Sequence, residues 1–81
     1  MSIKVLYFAS LREEVGRDSD LIDSPADVTK PMNIEQLWQK ATGQEDFPEH
    51  LLVAVNQEYS NKQTTLSDGD EVAFFPPVTG G

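Results

Sequence analysis

The residues of this 81-residue sequence that could do chemistry lie at its C-terminal end, where Phe75 is followed by Pro76-Pro77-Val78-Thr79-Gly80-Gly81. What they offer is main-chain chemistry. Gly80 and Gly81 have no side chains, so they can thread a narrow channel and place a backbone carboxylate at its far end. Pro76 and Pro77 fix φ and favour an extended polyproline conformation, so the tail is expected to leave the folded body stiffly. At about 3.1 Å per residue it would project ~15–20 Å. The run carries no side-chain charge, in a chain otherwise dense with charge.

Side-chain chemistry has little to work with. The absence of cysteine removes disulfides, thiolate zinc sites, iron–sulfur clusters and any thiol nucleophile. One histidine, His50, leaves no metal site built on imidazoles. Its place beside Glu49, ahead of an apolar run, reads as a partly exposed loop rather than a base. Asp68, Asp70 and Glu71 invite a calcium reading, but the spacing lacks the remaining ligands of an EF-hand loop, and a structural turn is expected. Neither a metal nor a bound cofactor is expected. Fourteen acidic residues against six basic ones give a formal charge of −8. That surface repels a phosphate backbone, which argues against nucleic acid and for a basic protein partner. No run approaches the roughly 18 apolar residues of a membrane span, and no basic-then-apolar leader opens the chain. A soluble cytoplasmic domain without membrane contact is the expectation.

The elements that must position the tail can be read from periodicity. Ser2 to Ala9 is β-branched and aromatic, a strand with Ile3, Val5 and Tyr7 on one face and Lys4, Leu6 and Phe8 on the other, the latter toward water. Ser10 and Glu13 have the spacing of a capping box for a short helix that Gly16 closes. Asp18 to Asp23 reads as a weak, acidic edge strand. Ser24 to Pro31 is a connector. Asn33 caps the main helix with Gln36 completing its box, and Met32 and Leu37 occupy the positions of a hydrophobic staple. Ile34, Leu37, Trp38 and Ala41 follow i, i+3, i+4, i+7, one apolar stripe, and Gly43 ends it. Leu51 to Asn56 suits a central strand, and Gln57 to Thr65 is polar and turn-rich without a readable element. An Asp-Gly turn then leads into the last strand, Glu71 to Phe75.

One substantial helix and several strands make an α+β roll, with a mixed sheet packed on that helix and the first and last strands together in its middle. The crossover from the second strand through the helix is expected to supply a parallel pairing. Residues 1–75 would be one domain with a thin core, and 76–81 its tail. Trp38, Leu37, Ile34, Val5, Val53, Val55, Val72 and Phe74 are the expected core. In that order Phe8 and Phe75 share the outer face of adjacent strands, with Tyr59 nearby in the preceding loop. Arg12 is open to two readings, pairing with Glu13 or Glu14 or with an acidic site on a partner.

Asp68 to Gly81 (DGDEVAFFPPVTGG) resembles the C-terminal signature of the small subunit of molybdopterin synthase. Ile3 to Ala9 with Leu11-Arg12-Glu13 resembles that family's first strand and helix, and Leu52 to Asn56 its central strand. About half the chain is covered, and Asp18 to Pro48 carries no such signature. The resemblance implies a ubiquitin-like β-grasp fold acting as a sulfur carrier, itself non-catalytic, with the active site on a large subunit. It implies that an ATP-dependent activating enzyme adenylates Gly81, that sulfur then replaces adenylate to give a thiocarboxylate, and that the sulfur goes to a cyclic pyranopterin phosphate. ATP is consumed by the activating enzyme and no cofactor is held by this chain. Phe8, Tyr59 and Phe75 would form the docking patch, Pro76 to Gly80 would enter the large subunit, and Arg12 would meet the activating enzyme. Two small and two large subunits would assemble. A sulfur carrier of the thiamine pathway, a ubiquitin-like modifier of lysines and a plain binding module of the same fold also remain open, although Phe-Phe-Pro-Pro-Val points away from the first two.

Overall fold

The computed structural model describes residues 2–23, 31–48 and 50–76. Five strands and two helices follow one another as β1 (Ser2–Tyr7), α1 (Ser10–Val15), β2 (Ser19–Asp23), α2 (Ile34–Thr42), β3 (Leu52–Val55), β4 (Glu58–Ser60) and β5 (Glu71–Phe75). The strands form one mixed sheet in the order β2-β1-β5-β3-β4, with α2 packed on one face. This is the β-grasp roll, with the first and last strands side by side as expected.

The parallel pairing comes from a different place than expected. It joins β1 to β5, with Lys4 opposite Glu71 and Tyr7 opposite Phe74, while β2 pairs antiparallel with β1 and β3 antiparallel with β5. The crossover through α2 does connect two strands of the same direction, but β1 and β5 lie between them. The acidic β2 takes one edge of the sheet and the three-residue β4 the other, and charge and brevity are both ways of blunting an edge.

The core fills the helix side. Ile34, Leu37, Trp38 and Ala41 are buried along one stripe of α2, against Ile3, Val5, Tyr7, Val53, Val72 and Phe74 of the sheet. The Trp38 ring stands edge-on to Phe74 at 5.0 Å and to Phe47 at 5.9 Å, a favoured aromatic geometry, and its indole N–H donates to the Asp46 carbonyl at 3.1 Å. Of the expected core only Val55 is partly exposed, since it lies at the end of β3 opposite Glu58 of the short edge strand. Asn33 caps α2 as its sequence demands. Its side chain accepts from the Gln36 amide at 2.8 Å and the Gln36 side chain accepts from the Asn33 amide at 2.9 Å.

The first helix departs from the expected cap. Ala9 is the N-cap, with no side-chain hydrogen bond, and Ser10 is already the first helical residue. The cause is the backbone of Ala9, which at φ 55, ψ −131 turns the chain one residue earlier than a Ser10 cap would. That turn also stops β1 at Tyr7, short of the Ala9 end expected. Gly16 closes α1 in the left-handed conformation at φ 89.

The polar stretch that yielded no element contains β4. Asn56 and Gln57 both have positive φ, 51 and 71, which makes a two-residue hairpin between β3 and β4. The calcium candidates are occupied in turn geometry. The Asp70 carboxylate accepts from the Ser67 amide at 2.7 Å and from the Asn56 side chain at 3.0 Å, and Gly69 takes φ 88. No three His, Asp or Glu side chains among the described residues gather in a way that could hold a metal ion. His50 is exposed in a turn. No helix among the described residues is long and apolar enough to cross a membrane. Pro77 to Gly81 and the connector residues 24–30 lie outside the described residues, as does Glu49.

Candidate functional site

Alternation along each strand decides what the sheet shows to solvent on the side away from α2. Leu6, Ala73, Ala54 and Tyr59 fall in one cross-strand row, because Leu6 is opposite Ala73, Ala73 opposite Ala54 and Ala54 opposite Tyr59. The next row, toward the end of β5, holds Phe8, Phe75 and Leu52. The two alanines in the middle leave a shallow floor and the aromatics at its margins make walls. The result is a depression of about 320 Å³ lined by Leu6, Phe8, Ala54, Gln57, Tyr59, Glu71, Ala73 and Phe75.

The three aromatic residues expected here are brought together. Phe8 and Phe75 stack with ring centroids 4.8 Å apart and planes 12° from parallel, and Tyr59 lies 6.5 Å from Phe75. Tyr59 comes from β4 and not from a loop. Phe8 is 41% exposed and Tyr59 79%, so two large apolar side chains near Pro76 remain partly or mostly open to solvent. Pro76 follows directly from Phe75 and is half-buried. Gln57 and Glu71 add polar groups at the rim.

Arg12 does not line the depression; it is exposed on α1 and makes no ion pair with Glu13, Glu14 or any other carboxylate among the described residues. Pro77, Val78, Thr79, Gly80 and Gly81, which the sequence places in the site as an expectation, lie outside the described residues. Leu6, Ala54, Ala73, Gln57 and Glu71 were not expected in the site. Leu6 and Ala73 had a usable signal, since period-two alternation puts them on the face of Phe8 and Phe75. Ala54 had none, because the unbroken apolar run LVAV does not say which face is which.

The ThiS family matches residues 5–81. A relative named molybdopterin synthase sulfur carrier subunit, from Escherichia coli (strain K12), is 45% identical over 98% of this chain and 99% of its own. The chain belongs to the ThiS family. Among solved structures, SAMP1 of Haloferax volcanii superposes with a TM-score of 0.77 at 24% identity, covering all of both chains, which establishes the ubiquitin-like β-grasp fold. A complex of subunits 1 and 2 of molybdopterin-converting factor from Helicobacter pylori 26695 contains a chain that matches with a TM-score of 0.59 at 25% identity, again over all of both chains. Of the three exposed large apolar side chains among the described residues, Phe8 and Tyr59 belong to the aromatic patch beside Pro76, and Leu21 stands apart on β2.

Proposed function

We propose that this chain is the sulfur carrier subunit of a cytoplasmic molybdopterin synthase. The full-length similarity to a sulfur carrier subunit of that name carries the reading. The uncovered aromatic surface beside Pro76, where the chain leaves β5, supports it.

A free α-carboxylate has a pKa near 3.5, so at neutral pH the terminus is an anion and a poor electrophile. An activating enzyme joins the Gly81 carboxylate to the AMP portion of ATP and releases pyrophosphate. The acyl adenylate is uncharged at the carbonyl and carries a good leaving group. Hydrosulfide from the sulfur source attacks the carbonyl, the C–O bond to AMP breaks and AMP leaves, and loss of the S–H proton gives a thiocarboxylate. A protein without cysteine can therefore still deliver sulfur, because the reactive atom is on the main chain. Covalent catalysis ordinarily tunes a side-chain nucleophile by its neighbours, and here the partner supplies the tuning. Phe8, Tyr59 and Phe75 dock on the large subunit, residues 76–80 enter it, and basic groups there hold the anionic terminus over the cyclic pyranopterin phosphate. Two small and two large subunits make the assembly. Arg12, which pairs with no carboxylate among the described residues, is available to an acidic site on the activating enzyme.

The decisive experiment is intact mass after incubation with activating enzyme, ATP and a sulfur source. The chain should gain the difference between sulfur and oxygen, and a chain lacking Gly81 should gain nothing and fail to support pterin sulfuration. Its thermal stability should hardly change, because a terminal glycine adds little packing. Full activity without Gly81 would defeat the reading.

A further inference from the structure

We propose that Pro76 is a positioning residue that ends the sheet at the root of the tail, by withholding the one N–H that would bond the chain onward to Phe8. The consequence for sulfur transfer rests on the carrier reading above, whereas the hydrogen-bond geometry stands apart from it.

The phase of the β1–β5 ladder is fixed at its start. Lys4 is opposite Glu71 and donates its N–H to the Asp70 carbonyl at 3.0 Å. In a parallel ladder a residue that donates to the neighbour before its partner accepts from the neighbour after it, and the pattern repeats every second residue. At the far end Phe8 donates its N–H to the Phe74 carbonyl at 3.1 Å, in the same phase. The donor due next, to the Phe8 carbonyl, is the N–H of residue 76. That residue is proline and has none. The Phe8 carbonyl accepts instead from the Leu11 N–H at 3.2 Å, closing the turn through Ala9.

Two further observations make residue 76 the stop. Ala9 holds φ 55, ψ −131, a backbone position that non-glycine residues rarely adopt, so β1 swings away immediately after Phe8 and offers no later partner. Phe75 is held over Phe8 by ring stacking, which brings the start of residue 76 within reach of that carbonyl. The pivot of the tail is therefore set between Phe75 and Pro76. One added bond at residue 76 would move the pivot toward the terminus by about 3 Å of chain. A misplacement of ~1 Å at a reacting centre can cost about 100-fold in rate.

The test uses the full-length chain with Pro76→Ala, and a chemically synthesised chain with N-methylalanine at that position, which lacks both the ring and the N–H. Amide hydrogen exchange at residue 76 is followed by NMR in the carrier alone. Sulfur transfer is followed in a single turnover at saturating large subunit, with the docking Kd measured alongside. In Pro76→Ala the new amide should exchange at least about ten-fold more slowly than an unstructured alanine amide. Transfer at saturation should fall about ten-fold, and N-methylalanine should restore it. A new amide in Pro76→Ala that exchanges at the unstructured rate, or an N-methylalanine chain no faster than Pro76→Ala, would overturn the proposal. The exchange measurement involves no sulfur, so a chain that never gains sulfur mass refutes the carrier reading without touching the ladder stop.

Discussion

Phe75 belongs to both the fold and the surface. Its backbone pairs with Leu52 in the middle of the sheet, while its ring lies against Phe8 and near Tyr59 on the open face. Buried aromatics dominate binding energy at interfaces when a partner excludes water around them, each contributing about 2 kcal/mol or more on truncation. Phe75→Ala should therefore weaken docking to the large subunit by about 30-fold in a titration, while adenylation by the activating enzyme continues. Tyr59→Ala, at a side chain that is mostly in solvent already, should weaken docking in the same direction with little loss of stability to urea. Affinity equal to the parent chain's in both variants would make the patch ordinary surface. Tyr7 shows the opposite use of an aromatic hydroxyl. It is 2% exposed and donates to the Asp20 carboxylate at 2.8 Å, which Arg17 also engages at 2.6 Å. Burial, and then the bond to Asp20, push the phenol well above its ordinary value of 10.0. A phenol raised in the folded state stabilises fully below the unfolded pKa, about 10, and that stability is lost as pH climbs from there toward the folded value. Unfolding free energies from urea titrations between pH 9 and 11 should fall for the parent chain with a limiting slope of about 1.4 kcal/mol per pH unit from this group, and Tyr7→Phe should remove that part of the fall. At neutral pH the same variant should cost about 1 kcal/mol for the lost hydrogen bond.

At the scale of elements, α2 is legible because every level of its sequence agrees: cap, box, apolar stripe and terminal glycine. Asn33→Ala should cost about 1 kcal/mol of unfolding free energy in urea, by leaving the Gln36 amide without the side-chain oxygen that accepts from it. A loss under a few tenths would mean that neighbouring groups cap the helix. Such groups exist, because the amides of Ile34 and Glu35 donate to the carbonyls of Thr64 and Lys62, both at 3.1 Å. The loop after β4 is thus held by the orphan donors of a helix that precedes it in sequence, a long-range dependence that no local pattern announces. β4 was illegible for a related reason. A two-residue hairpin with both φ angles positive favours Asn-Gly, and Asn56-Gln57 supplies only the first half of that signal. Asn56 makes up the difference with its side chain, which accepts from the Glu71 amide and donates to Asp70, so the turn is tied to β5. The patch was half-legible in the same way: alternation puts Phe8 and Phe75 on one face with Tyr59 expected nearby, and only the pairing of β4 with β3 shows that Tyr59 comes from a strand. At the β1–α1 junction the strained residue is an alanine. Ala9→Gly relieves a Cβ clash while adding freedom to the unfolded chain, so the two effects of roughly 1 kcal/mol should nearly cancel. Ala9→Val, stiff and β-branched at positive φ, should lose about 2 kcal/mol or more in the same urea measurement.

Across the whole molecule, charge and apolar surface are divided between different tasks. The formal charge of −8 is carried by a chain whose edge strand β2 alone contributes Asp20 and Asp23, while the depression beside Pro76 is walled by aromatics with Glu71 the one acidic residue among those lining it. Desolvating the patch therefore removes little charge from water, and the acidic remainder stays hydrated and acts at a distance. A large subunit that holds an anionic terminus needs basic groups, so the fields of the two proteins are expected to be complementary. Such complementarity speeds encounter more than it tightens the final contact. Raising the ionic strength from 0.01 to 1 M shortens the screening distance from about 30 Å to about 3 Å. The association rate of carrier and large subunit, followed by stopped flow, should fall by about ten-fold or more over that range, while the dissociation rate, set by the aromatic contact, should change little. Replacing Glu13 and Glu14 of α1 by glutamine should flatten the salt dependence of association without altering dissociation. A dissociation rate that rises with salt as steeply as association falls would locate ion pairs inside the contact, and the division between steering charge and docking aromatics would fail.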